Sequence, residues 1–161
     1  MSQALKYGFL SLIFIMIQTK VMRLLTLEGI TPDLLTIWVV YLALKEGQMA
    51  GTLWGFCIGL AFDFITGSFI GLSALTKTIS GFTAGYFFNE NKTSVTLASY
   101  RLLLIVLFVS LVHNIVYFTI YTQGSDIGLL RAVFQVGVAT TFYTTTWSLL
   151  PMFAFARKYL S

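Results

Sequence analysis

The chain has 161 residues, 57 % of them hydrophobic and 10 % charged, with a formal net charge of +4. Soluble domains carry about 25 % charged residues, so ten basic and six acidic side chains cannot cover a water-soluble globule of this size, and a mean hydropathy of +0.85 places the single domain, residues 1–161, in lipid. The one cysteine, Cys57, excludes a disulfide scaffold and Cys-cluster zinc sites, and basic residues scattered without a patch exclude nucleic acid as a partner.

A membrane span needs about 20 apolar residues to cross roughly 30 Å of hydrocarbon, and uncharged runs mark the candidates. The first run, Tyr7 to Thr19, closes with Lys20 and Arg23. No small-residue cleavage pattern follows it, so it reads as a retained helix and not a signal peptide. The second, Leu34 to Leu44, closes with Lys45 and Glu46 and is short for a span. Thr31-Pro32-Asp33 before it reads as a helix start, with the Thr31 oxygen as N-cap, Pro32 at the first helical position and Asp33 at the positive end of the dipole.

The stretch from Gln48 to Asn89 is interrupted only by Asp63 and Lys77. As one helix it would be about 60 Å long, twice the hydrocarbon thickness, and Gly67-Ser68 is the turn signal that divides it. A fifth run covers Leu102 to Ser125. A sixth, Ala132 to Ala156, closes with Arg157 and Lys158. The expected fold is therefore an all-α membrane protein of about six transmembrane helices. With six spans, Lys6, Lys45, Lys92, Arg101, Arg157 and Lys158 share one side against Lys20, Arg23 and Arg131, which puts both termini in the cytoplasm.

The third run carries Gly47, Gly51, Gly55 and Gly59 at a spacing of four, with Asp63 next in the series and Gly67 and Gly71 beyond it. Residues four apart lie on one helix face, so this helix presents a bare strip of backbone ending in a carboxylate. Lipid supplies no hydrophobic drive for helices to pair, and small residues that permit close approach do much of that work. The strip is either a tight crossing within the chain, with Gly81 and Gly85 adding to it, or a docking face for another membrane protein. An intramembrane carboxylate is costly, and the nearest cation along the chain is Lys77, so an Asp63–Lys77 ion pair across the hairpin is expected. A proton site at Asp63 is the alternative.

The fifth run holds His113 and Asn114 near its middle, where interhelical hydrogen bonding is the simplest use. Thr140, Thr141, Thr144, Thr145 and Thr146 cluster on the sixth, where hydroxyls can bond back along the helix or across it. A second histidine is absent from the sequence, and no nucleophile stands with a base and an orienting group, so no catalytic, metal or cofactor site is expected.

Pro32-Asp33-Leu34-Leu35, Tyr41-Leu42-Ala43-Leu44, and the series Gly47, Gly51, Gly55-Phe56, Gly59-Leu60, Asp63, Gly67 and Gly71-Leu72 resemble the central block of the bacterial rod shape-determining protein MreD family. The resemblance covers about forty residues. It implies a non-enzymatic, multi-pass protein of the bacterial cytoplasmic membrane, acting in the elongation machinery for cell-wall synthesis. Its implied partners are a single-span MreC-like protein, a RodA-type glycosyltransferase with its penicillin-binding transpeptidase, indirectly the actin-like MreB filament, and membrane lipid. It implies no cofactor, and a fold similar to the six-helix substrate-binding subunits of energy-coupling-factor transporters. A small-solute-binding subunit of such a transporter is the competing function.

Overall fold

A computed structural model describes residues 3–24, 30–123 and 132–160. Arg131 and the end of the fifth run at Ser125 fall outside them. Among the described residues the regular elements are helical: α1 (Gln3–Leu24), α2 (Leu34–Glu46), α3 (Gln48–Thr66), α4 (Leu72–Gly85), α5 (Thr93–Leu97), α6 (Tyr100–Tyr121), a π-helical segment (Ala132–Gly137) running into α7 (Val138–Trp147), and α8 (Leu149–Leu160). Three of them, over Gln3–Val21, Gln48–Thr66 and Tyr100–Tyr121, are long and apolar enough to cross a membrane.

The remaining apolar runs fold into shorter helices for a visible reason. α2 has 13 residues and nine of them are buried, so it is apolar on most of its sides and held largely among other helices. At 1.5 Å per residue it rises about 20 Å, well short of a full span. A helix can begin below the membrane surface only where protein satisfies its leading backbone groups. Here Gln18 of α1 donates from Nε2 to the Pro32 carbonyl (2.9 Å) and accepts the Leu34 N–H on Oε1 (2.9 Å), while Thr144 of α7 accepts the Asp33 N–H (3.0 Å). The helix-start expectation is corrected by two positions. Asp33 is itself the N-cap, its Oδ1 accepting the Thr36 N–H at 3.0 Å.

α3 and α4 form the most closely packed pair, α4 also rests on α6 and α2, α6 on α7, and α1 on α2 and α3. Two apolar clusters flank α2. One gathers Ile37, Val40 and Leu44 with Leu102, Val106 and Val109 of α6; the other gathers Leu35, Trp38, Val39 and Leu42 with Tyr7 and Ile15 of α1 and Ile58 of α3. The chain reverses between α3 and α4 where the turn signal stands: Gly67 caps α3 in the left-handed conformation at φ 65°, which favours glycine.

Candidate functional site

The glycine strip is consumed inside the α3–α4 hairpin. A Cβ on Gly51 would fall on Ala43, one on Gly55 on the Lys77 carbonyl, and one on Gly59 on the backbone of Ser73 and Ala74. From the other side, a Cβ on Gly81 would strike the Gly51 carbonyl and one on Gly85 would strike Gln48. The two backbones are in contact, so no second protein can reach the strip without prising the hairpin apart. Of the two alternatives for Gly51, Gly55 and Gly59, this packing favours the internal crossing, made by α4 and, at Gly51, also by Ala43 of α2. Gly47 stands apart from it, as the positive-φ junction between α2 and α3.

The expected Asp63–Lys77 pair is likewise replaced. Asp63 is fully buried and faces the start of α4, whose own N-cap, Gly71, has no side chain to offer. Its Oδ2 accepts the N–H groups of Gly71 (2.9 Å), Ser73 (3.1 Å) and Ala74 (3.3 Å). The first N–H groups of any helix lack intrahelical partners, and a carboxylate supplied from α3 takes them over as charge-assisted bonds at the positive end of the dipole. Asp63→Ala should therefore cost about 1–3 kcal/mol, the worth of leaving buried donors unmet, and Asp63→Asn less. A thermal melt of the purified protein checks this, with protection of the Ser73 and Ala74 amides falling first in hydrogen exchange.

Lys77 turns the other way. It is 2 % exposed, and its Nζ lies 2.7 Å from Asp33 Oδ2 and 3.3 Å from Thr36 Oγ1. The Thr36 hydroxyl donates to the same Oδ2 at 2.7 Å, and His113 of α6 brings Nε2 to 3.3 Å from it. His113 Nδ1 is 3.3 Å from Ser80 Oγ of α4, which also donates to the Thr76 carbonyl at 2.8 Å. One carboxylate oxygen thus gathers groups from α2, α4 and α6. Beside it, Asn114 Nδ2 donates to the Gly137 carbonyl (3.1 Å) and to Thr141 Oγ1 (2.9 Å), tying α6 to the end of the π-helical segment, where π geometry leaves backbone groups open to such partners.

These residues face a polar cavity of about 270 Å³ whose walls include Gln18, Asp33, Ser73, Lys77, His113 and Asn114. Buried charges persist only when paired and hydrogen-bonded, and this set meets that condition with one anion and one cation. Sequence reasoning does not single out Asp33, because its place at a helix start accounts for it without a further partner. The available signal was that Lys77 requires an anion and that Asp33, as well as Asp63, borders an apolar run. Among the described residues, no three His, Cys, Asp or Glu side chains are grouped to hold a metal ion.

Comparison with known families gives one result. The model of the rod shape-determining protein MreD family matches residues 3–158. That is nearly the whole chain, so it belongs to the MreD family, a family of rod-shape-determining membrane proteins. Comparison with curated proteins and with solved structures returned no match.

Proposed function

We propose that this chain is a non-enzymatic, six-span component of the cytoplasmic membrane that holds a single-span MreC-like protein and, through it, the peptidoglycan synthase pair and the MreB filament. The family match over residues 3–158 is the observation that carries the reading. The internal architecture is consistent with it. Buried and part-buried polar groups bond across α1, α2, α4, α6 and α7, as suits a bundle whose task is to keep a fixed shape. In this reading α2 with the segment leading into it, α4, and the π-segment–α7–α8 run join the three long helices as six crossings, and both termini lie in the cytoplasm. Partners then grip outward side chains, since the glycine strip is occupied by α4.

Depletion of the protein in a rod-shaped bacterium should round the cells, and the native gene should restore rods where Lys77→Met does not. Cells that keep their rod shape and width through depletion would overturn the proposal.

A second reading, a small-solute-binding subunit, is favoured by one observation: the polar cavity beside Asp33, Lys77 and His113. Thermal stabilisation by a member of a vitamin panel, lost in His113→Ala, would support it over the first. A flat response across the panel would remove it.

A further inference from the structure

A second cavity, of about 660 Å³, lies at the other end of the bundle, between α1 and α8 with α2 as its floor. Its walls are almost wholly apolar. Four rings from three helices form a continuous stack along it: Phe14 on Trp38 (4.9 Å between centroids), Trp38 on Tyr41 (5.2 Å) and Tyr41 on Phe155 (5.4 Å). Leu10 and Leu150 line it and are exposed, so it is open to whatever surrounds the helices, which in a membrane is lipid.

The charges are confined to one end. Lys6 and Lys45 both line the groove, and Lys45 Nζ stands 5.2 Å from the centre of the Tyr7 ring and 5.7 Å from that of Tyr41. The neighbouring acid, Glu46, accepts the Tyr7 hydroxyl hydrogen at 2.6 Å and is not part of the lining. Two lysines at the end of a dry, laterally open slot complement an anionic head joined to an apolar tail. Basic pockets between helices on the cytoplasmic side bind anionic lipid headgroups in this way.

Size selects among occupants. A membrane-spanning helix is a cylinder about 10 Å wide and 30 Å long, or roughly 2,400 Å³, several times the volume of the groove. An acyl chain is slim enough to enter it. We propose that the groove between α1 and α8 seats one anionic phospholipid of the bilayer, its acyl chain along the Phe14–Trp38–Tyr41–Phe155 stack and its phosphate against Lys6 and Lys45.

Tryptophan quenching tests this on the full chain in nanodiscs. The sequence has three tryptophans, and Trp54→Phe leaves Trp38 and Trp147, both of which line the groove. In phosphatidylcholine nanodiscs, trace brominated phosphatidylglycerol should quench them at a mole fraction about 25-fold lower than brominated phosphatidylcholine does, two lysines at about fivefold each. Each of Lys6→Gln and Lys45→Gln, at exposed positions, should reduce that preference about fivefold, the worth of one charge beside an anionic lipid. Ala154→Phe, which plugs the groove from α8, should bring phosphatidylglycerol quenching down to the phosphatidylcholine level. Equal quenching by the two lipids in the parent protein, or a preference that survives the double lysine variant, overturns the assignment. So does concentration-dependent shielding from both lipids, which a second copy or a partner's helix in the groove would produce.

Discussion

Replacing Lys77 with methionine should lower the unfolding free energy by about 3–5 kcal/mol, the usual result of removing one partner from a buried ion pair. Methionine keeps the length and much of the volume of the lysine stem, so lost packing contributes little. The damage comes from Asp33, whose carboxylate loses the ammonium at 2.7 Å and keeps Thr36 and the His113 ring. Asp33→Asn should be comparably harmful for the opposite reason, since it strands an ammonium that is almost fully enclosed. The double variant, Asp33→Asn with Lys77→Met, buries no charge at this point and should be milder than the sum of the singles by about 1–3 kcal/mol, as groups in contact typically are. Asp63→Asn with Lys77→Met is the control. Asp63 is bound to the α4 amides, so that pair should add to within about 0.5 kcal/mol. Melting temperatures of the three single and two double variants in one detergent decide the matter. Coupling with Asp63 and additivity with Asp33 would reverse the assignment of the anion.

The features that depend on neighbours along the chain are legible in the sequence. The apolar excess gives the solvent, Gly67-Ser68 gives the reversal between α3 and α4, and the four-residue spacing of Gly51, Gly55 and Gly59 gives a face that packs backbone to backbone. The partner of that face is not a local property. Spacing states that the strip is bare and leaves open whether α4 or another protein fills it. The ion pair is hidden on the same ground: Asp33 and Lys77 are 44 positions apart, whereas Asp63 lies just across the hairpin from Lys77 and its true partners are N–H groups, which every residue type but proline carries. Span counting also met a physical limit. Hydropathy registers the composition of a run and not what surrounds it, so α2 reads like a poor lipid-facing helix when it is a well-formed helix with most of its surface against protein. α4, at 14 residues, is shortened likewise, because Asp63 lets it begin below the end of α3.

Gly55→Leu should abolish the fold rather than a single contact, and Gly55→Ala should already destabilise it by about 1–3 kcal/mol, the scale of overpacking a filled interior. The reason lies in what the missing side chain admits. The Lys77 carbonyl occupies the place of a Gly55 Cβ, so even one methyl group must push α4 outward at the residue whose side chain reaches Asp33. The glycine strip and the ion pair are thus one device. Close approach of the two backbones sets where Lys77 starts, and the 2.7 Å contact sets where it ends. Two consequences separate this from a docking role. Gly55→Ala and Lys77→Met should be less than additive by 0.5 kcal/mol or more, because each weakens the same contact, whereas Phe56→Ala on the exposed face of α3 should add independently to either. Gly55→Ala should also lower the melting temperature of the chain purified alone, with no partner present. If that melting temperature were unchanged, and only the association with another membrane protein were lost, the strip would be a docking face and the internal crossing would be wrong.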